Sequence, residues 1–208
     1  MSRYTGPVCK ICRREGMKLF LKGERCFTDK CAVEQREYPP GQHGQGRVRT
    51  TEYRVHLREK QKVRNTYGVS EAQFKRYYDI AKRRKGVTGE QLLQLLERRL
   101  DNIVYRLGFA PSRNGARQLI THGHITVNAQ KVNIPSFLVD AGDTIEIKEK
   151  SKKIDFIGQS LENREQRGMS EWLEVDKDAK KGKVKALPER KDMPPTIQET
   201  LIIEYYSK

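Results

Sequence analysis

The stretch Arg113-Asn-Gly-Ala-Arg-Gln-Leu-Ile-Thr-His-Gly-His-Ile-Thr-Val-Asn128 changes period halfway along, and that change decides the fold. Ser112, just before it, suits a helix N-cap, because its hydroxyl can accept a backbone N–H that the first turn leaves unpaired. The helix that it opens runs from Arg113 to His122, and Gly123 closes it. Beyond it Ile125 and Val127 alternate with polar residues, and Asn128-Ala-Gln turns the chain toward Val132, which reads as a β-hairpin. Past Pro135, the Gly142-Asp143 turn and Thr144-Ile-Glu-Ile-Lys148 extend the hairpin into a small antiparallel sheet. On the N-terminal side, Thr88-x-x-Gln91 forms a capping box. Leu92, Leu93, Leu96, Leu100, Ile103, Val104 and Leu107 then give one long apolar face running to Gly108. Residues 98–150 thus read as two helices on short antiparallel strands, about the smallest unit that folds alone. The fold class is α+β.

Farther toward the N-terminus the chain reads as helical. Residues 51–67 suit a helix with only Val55, Leu57 and Val63 as apolar positions, so tertiary contacts or a partner must support it. Ser70 opens another helix, with Phe74, Tyr77, Tyr78 and Ala81 on one side and Lys75, Arg76, Lys82 and Arg83 on the other. Before both lies Tyr38-Pro-Pro-Gly-Gln-His-Gly-Gln-Gly46, a linker too rich in Pro and Gly for regular helix. Toward the C-terminus, Lys150 to Asp192 is weakly patterned. Trp172-Leu-Glu-Val175 and Lys183-Val-Lys-Ala-Leu187 read as edge strands, and Asp176 to Lys185 as a charged surface loop. Pro194-Pro-Thr196-x-x-Glu199 repeats the capping-box pattern, and Ile197, Leu201, Ile202, Tyr205 and Tyr206 fit one face of a helix, a reading favoured over a strand.

Composition restricts what such a chain does. The 208 residues carry 42 Lys and Arg against 27 Asp and Glu, a formal charge of +15, with 36% hydrophobic residues and a mean hydropathy of −0.83. The excess is uneven: residues 46–97 hold thirteen Lys/Arg and six Asp/Glu, whereas residues 151–208 hold twelve and eleven. A basic stretch this rich in Arg suits a polyanion, because the planar guanidinium grips phosphate bidentately and each neutralised phosphate releases counterions. No apolar run approaches the roughly 18 residues that span a bilayer, and the N-terminus lacks the apolar segment of a signal peptide. Secretion and membrane insertion are therefore set aside, and the cytosol is the expected compartment.

All four cysteines lie near the start, as Cys9-x2-Cys12 and Cys26-x4-Cys31. Two short-spaced pairs joined by a loop suit four thiolates around one tetrahedral zinc ion, and a reducing compartment disfavours disulfides. The loop between them is too polar to fold alone, so the metal would supply folding energy, and a closed set of four ligands leaves no position for catalysis. Lys10, Arg13, Arg14, Arg25 and Lys30 would offset the thiolate charge. His43, in the Pro/Gly loop, is a weaker ligand candidate.

Catalytic patterns are absent from the sequence: no Gly-x-Ser-x-Gly elbow, no P-loop and no HExxH pair occurs. His122-Gly-His124 invites a metal or base reading, but a helix end leading into a strand more simply places it for phosphate or backbone contacts. The expectation is a protein that is not an enzyme.

The string from Arg113 to Asn128, with Arg98-Arg-Leu-Asp-Asn102 before it and Val132-Asn-Ile-Pro-Ser136 after it, closely resembles the RNA-binding module named after ribosomal protein S four. Arg3-Tyr-Thr-Gly-Pro-Val8, Tyr38-Pro-Pro-Gly-Gln-His-Gly44 and the ending Ile203-Glu-Tyr-Tyr-Ser-Lys208 resemble that ribosomal protein family across essentially the whole chain. The resemblance implies an all-helical domain into which the helix-plus-antiparallel-sheet module is inserted, with the C-terminal segment returning to the first domain. The corresponding divisions are a cysteine and linker segment at 1–45, a helical domain at 46–97 completed by 193–208, and an inserted module at 98–192 with its core at 98–150. It also implies binding to the 5′ domain of 16S ribosomal RNA early in assembly of the small-subunit body, a contribution to translational accuracy, and, in some bacteria, repression of the protein's own mRNA. Implied neighbours are small-subunit proteins five and twelve and mRNA where it enters the ribosome, with no membrane and no small-molecule substrate. The cysteines match the subset of the family that keeps them for one structural zinc ion.

The RNA-contacting positions expected on this reading are Arg3, Gln42, His43, Gly44, Arg47, Arg49, Arg54, Arg58, Lys62, Lys75, Arg76, Arg83, Arg84, Lys85, Arg113, Arg117, Gln118, His122 and His124. Arg117 has a competing structural reading as a partner of Asp101. Two other classes fit less well. An accessory subunit or remnant of an RNA-modifying enzyme would need a catalytic domain that residues 151–208 are too short to supply. A zinc-dependent DNA regulator would call for dimer symmetry, which no zipper supports.

Overall fold

The computed structural model describes residues 4–46, 49–164, 168 and 170–207. They form two compact units, Met1–Leu92 with Pro195–Lys208, and Leu93–Pro194.

In the first unit, α1 (Cys9–Glu15) and the single turn α2 (Ala32–Gln35) pack together, and α1 also touches α3 (Glu52–Thr66). Thr51 caps α3, its hydroxyl accepting from Arg54 N at 3.3 Å, and Ser70 caps α4 (Glu71–Arg83) by accepting from Gln73 N. Phe74, Tyr77, Tyr78 and Ala81 form the buried face of α4. The shortage of apolar residues on α3 is resolved by burying polar ones in pairs. Lys60 Nζ donates to Glu71 Oε1 at 2.6 Å, Glu59 Oε1 accepts Gln198 N at 2.8 Å, and His56 Nε2 lies 3.0 Å from Glu204 Oε2. The last two partners belong to the C-terminal segment, whose helix α9 (Glu199–Ser207) packs along α3. Tyr206 stacks on Tyr78 with ring centroids 4.6 Å apart, and its hydroxyl donates to Glu71 Oε1 at 3.1 Å. Helix, not strand, is thus the conformation of this segment. It begins at Glu199, so the box expected at Thr196 does not open it. Thr196 instead offers its carbonyl to Lys62 Nζ at 2.7 Å.

The chain enters the second unit within α5 (Thr88–Glu97). The single long helix expected through Gly108 is broken here: α5 ends at Glu97 and α6 (Leu100–Arg106) begins three residues later. The cause is a strand-like contact that apolar periodicity does not register. Arg99 bridges to Leu138, Leu100 N donates to Phe137 O at 2.8 Å, and Val139 N donates to Arg98 O at 3.0 Å. Helix α7 (Arg113–Thr121) packs on α6, and the Ser112 hydroxyl accepts from Gly115 N at 3.2 Å, capping it as expected.

Strands β1 (Ile125–Val127) and β2 (Gln130–Lys131) form the hairpin, with Val127 opposite Gln130. The turn is therefore two residues, Asn128 and Ala129, both at positive φ as a tight hairpin requires, and Gln130 belongs to the strand. Asn128 Oδ1 accepts Thr144 N at 2.9 Å and joins the turn to β3 (Thr144–Ile147). Helix α8 (Asp155–Glu162) follows, then β4 (Leu173–Asp176) and β5 (Lys181–Val184). The antiparallel sheet has the order β2-β1-β3-β5-β4. Two expectations are corrected here. β5 is an interior strand, not an edge, and residues 176–185 are mostly the hairpin joining it to β4, not a loop. Charged side chains alternate outward along β5 while Gly182 and Val184 are buried, and this alternation hides the strand in a composition reading. One apolar core joins α6, α7, α8 and the sheet through Leu100, Ile103, Leu107, Ile120, Ile145 and Ile157.

Candidate nucleic-acid interface

The capped, half-buried helix α4 presents its cations by periodicity. Its aromatic side is fixed in the core, so Lys75, Arg76, Lys82 and Arg83 come to solvent, and Arg84 and Lys85 continue the exposed basic run past its end. Among the described residues, none of Lys75, Arg76, Arg83, Arg84 and Lys85 forms an ion pair. They are cations held in place without a protein anion, which is the state a phosphate backbone can use. Arg49 is also exposed and Arg54 half-buried. Arg3 and Arg47 lie outside the described residues.

Two of the expected contacts are engaged in the fold instead. Arg58 forms a two-pronged pair with Glu15, whose side chain is buried on α1. Burial pushes the Glu15 carboxyl up from its ordinary value, only partly opposed by Arg58. Lys62 is tied to Glu59 Oε2 at 2.6 Å as well as to the Thr196 carbonyl. Charge counting along the sequence cannot separate such internal partners from free cations.

The Pro/Gly segment is anchored to α1. Arg13 Nε donates to Tyr38 O at 3.1 Å with its guanidinium 4.9 Å over the Tyr38 ring, and Arg14 Nη2 donates to Pro40 O at 3.4 Å. Gln42 and His43 are thereby displayed at the surface. Gly44 has an internal reason to be glycine, since a Cβ there would run into the Pro39 carbonyl oxygen.

Arg13 and Arg14, two of the five cations expected near the thiols, thus contact the carbonyls of this loop. The cation acting most strongly on Cys26 is Lys18, which is paired with Glu34. Cys12, Cys26 and Cys31 are buried and Cys9 half-buried, all as free thiols. Burial raises the Cys12 thiol, a hydrogen bond from the Leu19 backbone opposes the rise, and repulsion from Cys26, Cys9 and Cys31 adds to it. Burial likewise raises Cys26, against a backbone hydrogen bond from Lys22 and with repulsion from Cys31 and Cys9. Among the described residues no group of three or more His, Cys, Asp or Glu is arranged to hold a metal ion as it stands. The chemistry of the donors nevertheless suits a soft divalent cation: four free sulfurs on two short-spaced pairs, two of them already accepting backbone N–H groups.

In the second unit the Arg98-Arg-Leu-Asp-Asn102 segment proves to be structural. Buried Arg99 grips Asp101 with Nε–Oδ1 3.0 Å and Nη2–Oδ2 2.6 Å, Asn102 Nδ2 donates to Glu97 O at 2.9 Å, and Arg106 Nη2 donates to Glu97 Oε1 at 2.6 Å. Arg113 Nε donates to Asn102 Oδ1 at 2.8 Å and its guanidinium lies 4.6 Å over Tyr105, while Arg117 reaches Asp101 Oδ2 at 3.4 Å. Both arginines are thus oriented from within, and the alternative reading of Arg117 as a partner of Asp101 describes its contact. Gln118 and His122 are exposed on α7 and just past its end. His124 is half-buried, with Nδ1 2.8 Å from Ser151 Oγ and its ring 6.1 Å from that of His122. Sequence reasoning missed Tyr105 and Ser151, which orient Arg113 and His124 and carry no motif of their own.

A helix pair on an antiparallel sheet with a polar and basic corner at the end of α7 places the protein among those that carry the S4 domain. Residues 98–145 match the family described as "S4 domain", and residues 3–97 match "Ribosomal protein S4/S9 N-terminal domain". The chain is 64% identical to "Small ribosomal subunit protein uS4" of Geotalea daltonii over 208 residues, and 62% identical to the proteins of the same name from Citrifermentans bemidjiense and Geobacter sulfurreducens, with the whole of both chains covered each time. The chain belongs to the family of small ribosomal subunit protein uS4, which is structural and not enzymatic.

Proposed function

We propose that the protein is a structural constituent of the small ribosomal subunit in the bacterial cytoplasm that acts by binding small-subunit ribosomal RNA. The observation that carries this reading is the α4 face: exposed cations with no anionic partner, on a helix whose other side is locked into the core. Identity of 62% and 64% to uS4 relatives over 208 residues supports it and does not favour an RNA-modifying enzyme. Finer assignments rest on the family resemblance. The chain binds the 5′ domain of 16S ribosomal RNA early, nucleates the subunit body and contributes to translational accuracy. It neighbours small-subunit proteins five and twelve and mRNA where it enters; repression of their own message is a property that the resemblance attaches to some bacterial members of the family. RNA is recognised by shape, with phosphates clamped across a helix junction.

One structural zinc ion at Cys9, Cys12, Cys26 and Cys31 belongs to the same proposal. The supporting observation is the set of four free thiols, three of them buried and one half-buried, carried on the two short-spaced pairs. Such an ion would fix the segment to which the Tyr38–Gly46 loop is tied through Arg13 and Arg14.

The test is reconstitution of small subunits from ribosomal RNA and the remaining proteins, with and without this chain. The expected result is failure of the subunit body to form without it and rescue on addition. Normal particles in its absence would refute the assembly role.

A further inference from the structure

Between α7 and the start of α8 lies an open concavity of about 260 Å³, lined by Gly115, Gln118, Leu119, His122, His124 and Phe156, with Ile154 beside them. Glycine in a helix interior weakens the helix relative to alanine, so Gly115 needs a reason. A Cβ there would lie 3.3 Å from Phe156 Cζ, and its absence lets the ring lie against α7. Phe156 is nonetheless 42% exposed, so it lines the concavity and remains open to a partner from solvent. Around it stand hydrogen-bonding groups: the Gln118 amide and the His122 ring at the surface, and the His124 ring oriented by Ser151. Among the described residues no carboxylate lines the concavity, and the Lys131 side chain folds across Gly123 beside His122. An exposed aromatic residue, hydrogen-bonding groups at the edge and a cation nearby complement a nucleobase attached to a phosphate backbone.

We propose that this concavity receives one unpaired nucleobase of the bound RNA, stacked on Phe156 with its polar edge toward Gln118 and His122. The inference rests on the RNA-binding function proposed above and extends it to a residue beyond the 98–145 segment matched to the S4 domain.

The full-length protein is tested as wild type, Phe156→Leu, Phe156→Tyr and Gln118→Ala against the 5′ domain of small-subunit ribosomal RNA, by equilibrium binding and base-specific chemical probing. Phe156→Leu keeps apolar bulk and removes the stacking face, so affinity falls about 5- to 100-fold with the salt slope unchanged, because every cation facing a phosphate is retained. One unpaired base protected by wild type and Phe156→Tyr becomes reactive with Phe156→Leu, and Gln118→Ala weakens protection of that same base. Wild-type affinity and footprint in Phe156→Leu would overturn the stacking site while leaving the RNA-binding function standing. Equal losses in Phe156→Leu and Phe156→Tyr, or a loss accompanied by faster hydrogen exchange across α7 and α8, would overturn it by making the ring structural. Wild-type binding no tighter than to arbitrary RNA would instead overturn the function on which the inference rests.

Discussion

Replacing Glu71 by Gln strikes the point where α3, α4 and α9 meet. Lys60, whose side chain is only 4% exposed, has the Glu71 carboxylate 2.6 Å away as its anion, and the Tyr205 ring 4.6 Å away adds a weaker cation–π contact. Removing one partner of a fully buried pair costs about 3–5 kcal/mol, because the other charge stays buried. Glu71 is 38% exposed, so water already screens part of the attraction, and about 2 kcal/mol is the expected loss. That corresponds to roughly 30-fold faster hydrogen exchange at amides that open when α9 detaches. Exchange read by mass spectrometry over α3 and α9 is the suitable assay, since a chain of two units gives no single unfolding midpoint. Adding Lys60→Met removes the stranded ammonium and returns most of the protection. Burial alone would raise the Glu71 carboxyl, but Lys60, the Tyr206 hydroxyl and Arg64 outweigh it and hold it below its ordinary value. A depressed carboxyl stabilises above its unfolded value of about 4.3, and that contribution is lost as pH falls through the folded value. Wild-type α9 protection therefore drops below about pH 4 through a component that Glu71→Gln lacks. Unchanged exchange in Glu71→Gln, or a Lys60→Met/Glu71→Gln double variant opening as fast as the single one, would refute the reasoning.

Arg58→Ala leaves the Glu15 carboxylate buried without its cation and costs about 3 kcal/mol in urea unfolding of the first unit at neutral pH, whereas Glu15→Gln costs less. Because the Glu15 carboxyl is raised in the folded state, its protonation favours the fold toward low pH, and the Arg58→Ala loss shrinks as pH falls through that raised value. A loss independent of pH would contradict the pairing. Elemental analysis of the purified chain gives one zinc per molecule, and chelation speeds hydrogen exchange across residues 9–46 together, since Arg13 and Arg14 tie the loop to α1. Metal-free protein with unaltered exchange would remove zinc from the account. Converting Lys75, Arg76, Arg83 and Arg84 to Gln lowers the slope of log affinity against log salt by up to about 3, at roughly 0.7–0.9 for each phosphate no longer neutralised, and an unchanged slope would take these residues off the RNA.

What the sequence disclosed follows from how local each signal is. The Ser70 and Ser112 caps, the α7-to-hairpin change of period and the aromatic face of α4 depend on neighbours within one turn or one pleat, and all three are in the fold. The break at Arg98-Arg99 depends on residues 137–139, and β5 depends on pairing with β3 and β4. Both are set by contacts distant in sequence, so apolar periodicity misplaced them. The interface divides in the same way. Exposed cations on α4 follow from its period. The internal engagements of Arg58, Arg113 and Arg117, and the bond of Lys62 to the Thr196 carbonyl, depend on partners from eleven to 134 residues away. Phe156 escaped notice because its meaning comes from the missing Cβ at Gly115, forty-one positions earlier.

The most direct measurement is salt-titrated equilibrium binding of the purified chain to the 5′ domain of small-subunit ribosomal RNA, set against arbitrary RNA of equal length. The account predicts much tighter binding to the ribosomal RNA, with both affinities falling steeply as salt rises. Equal affinity for the two RNAs at every salt concentration would contradict it.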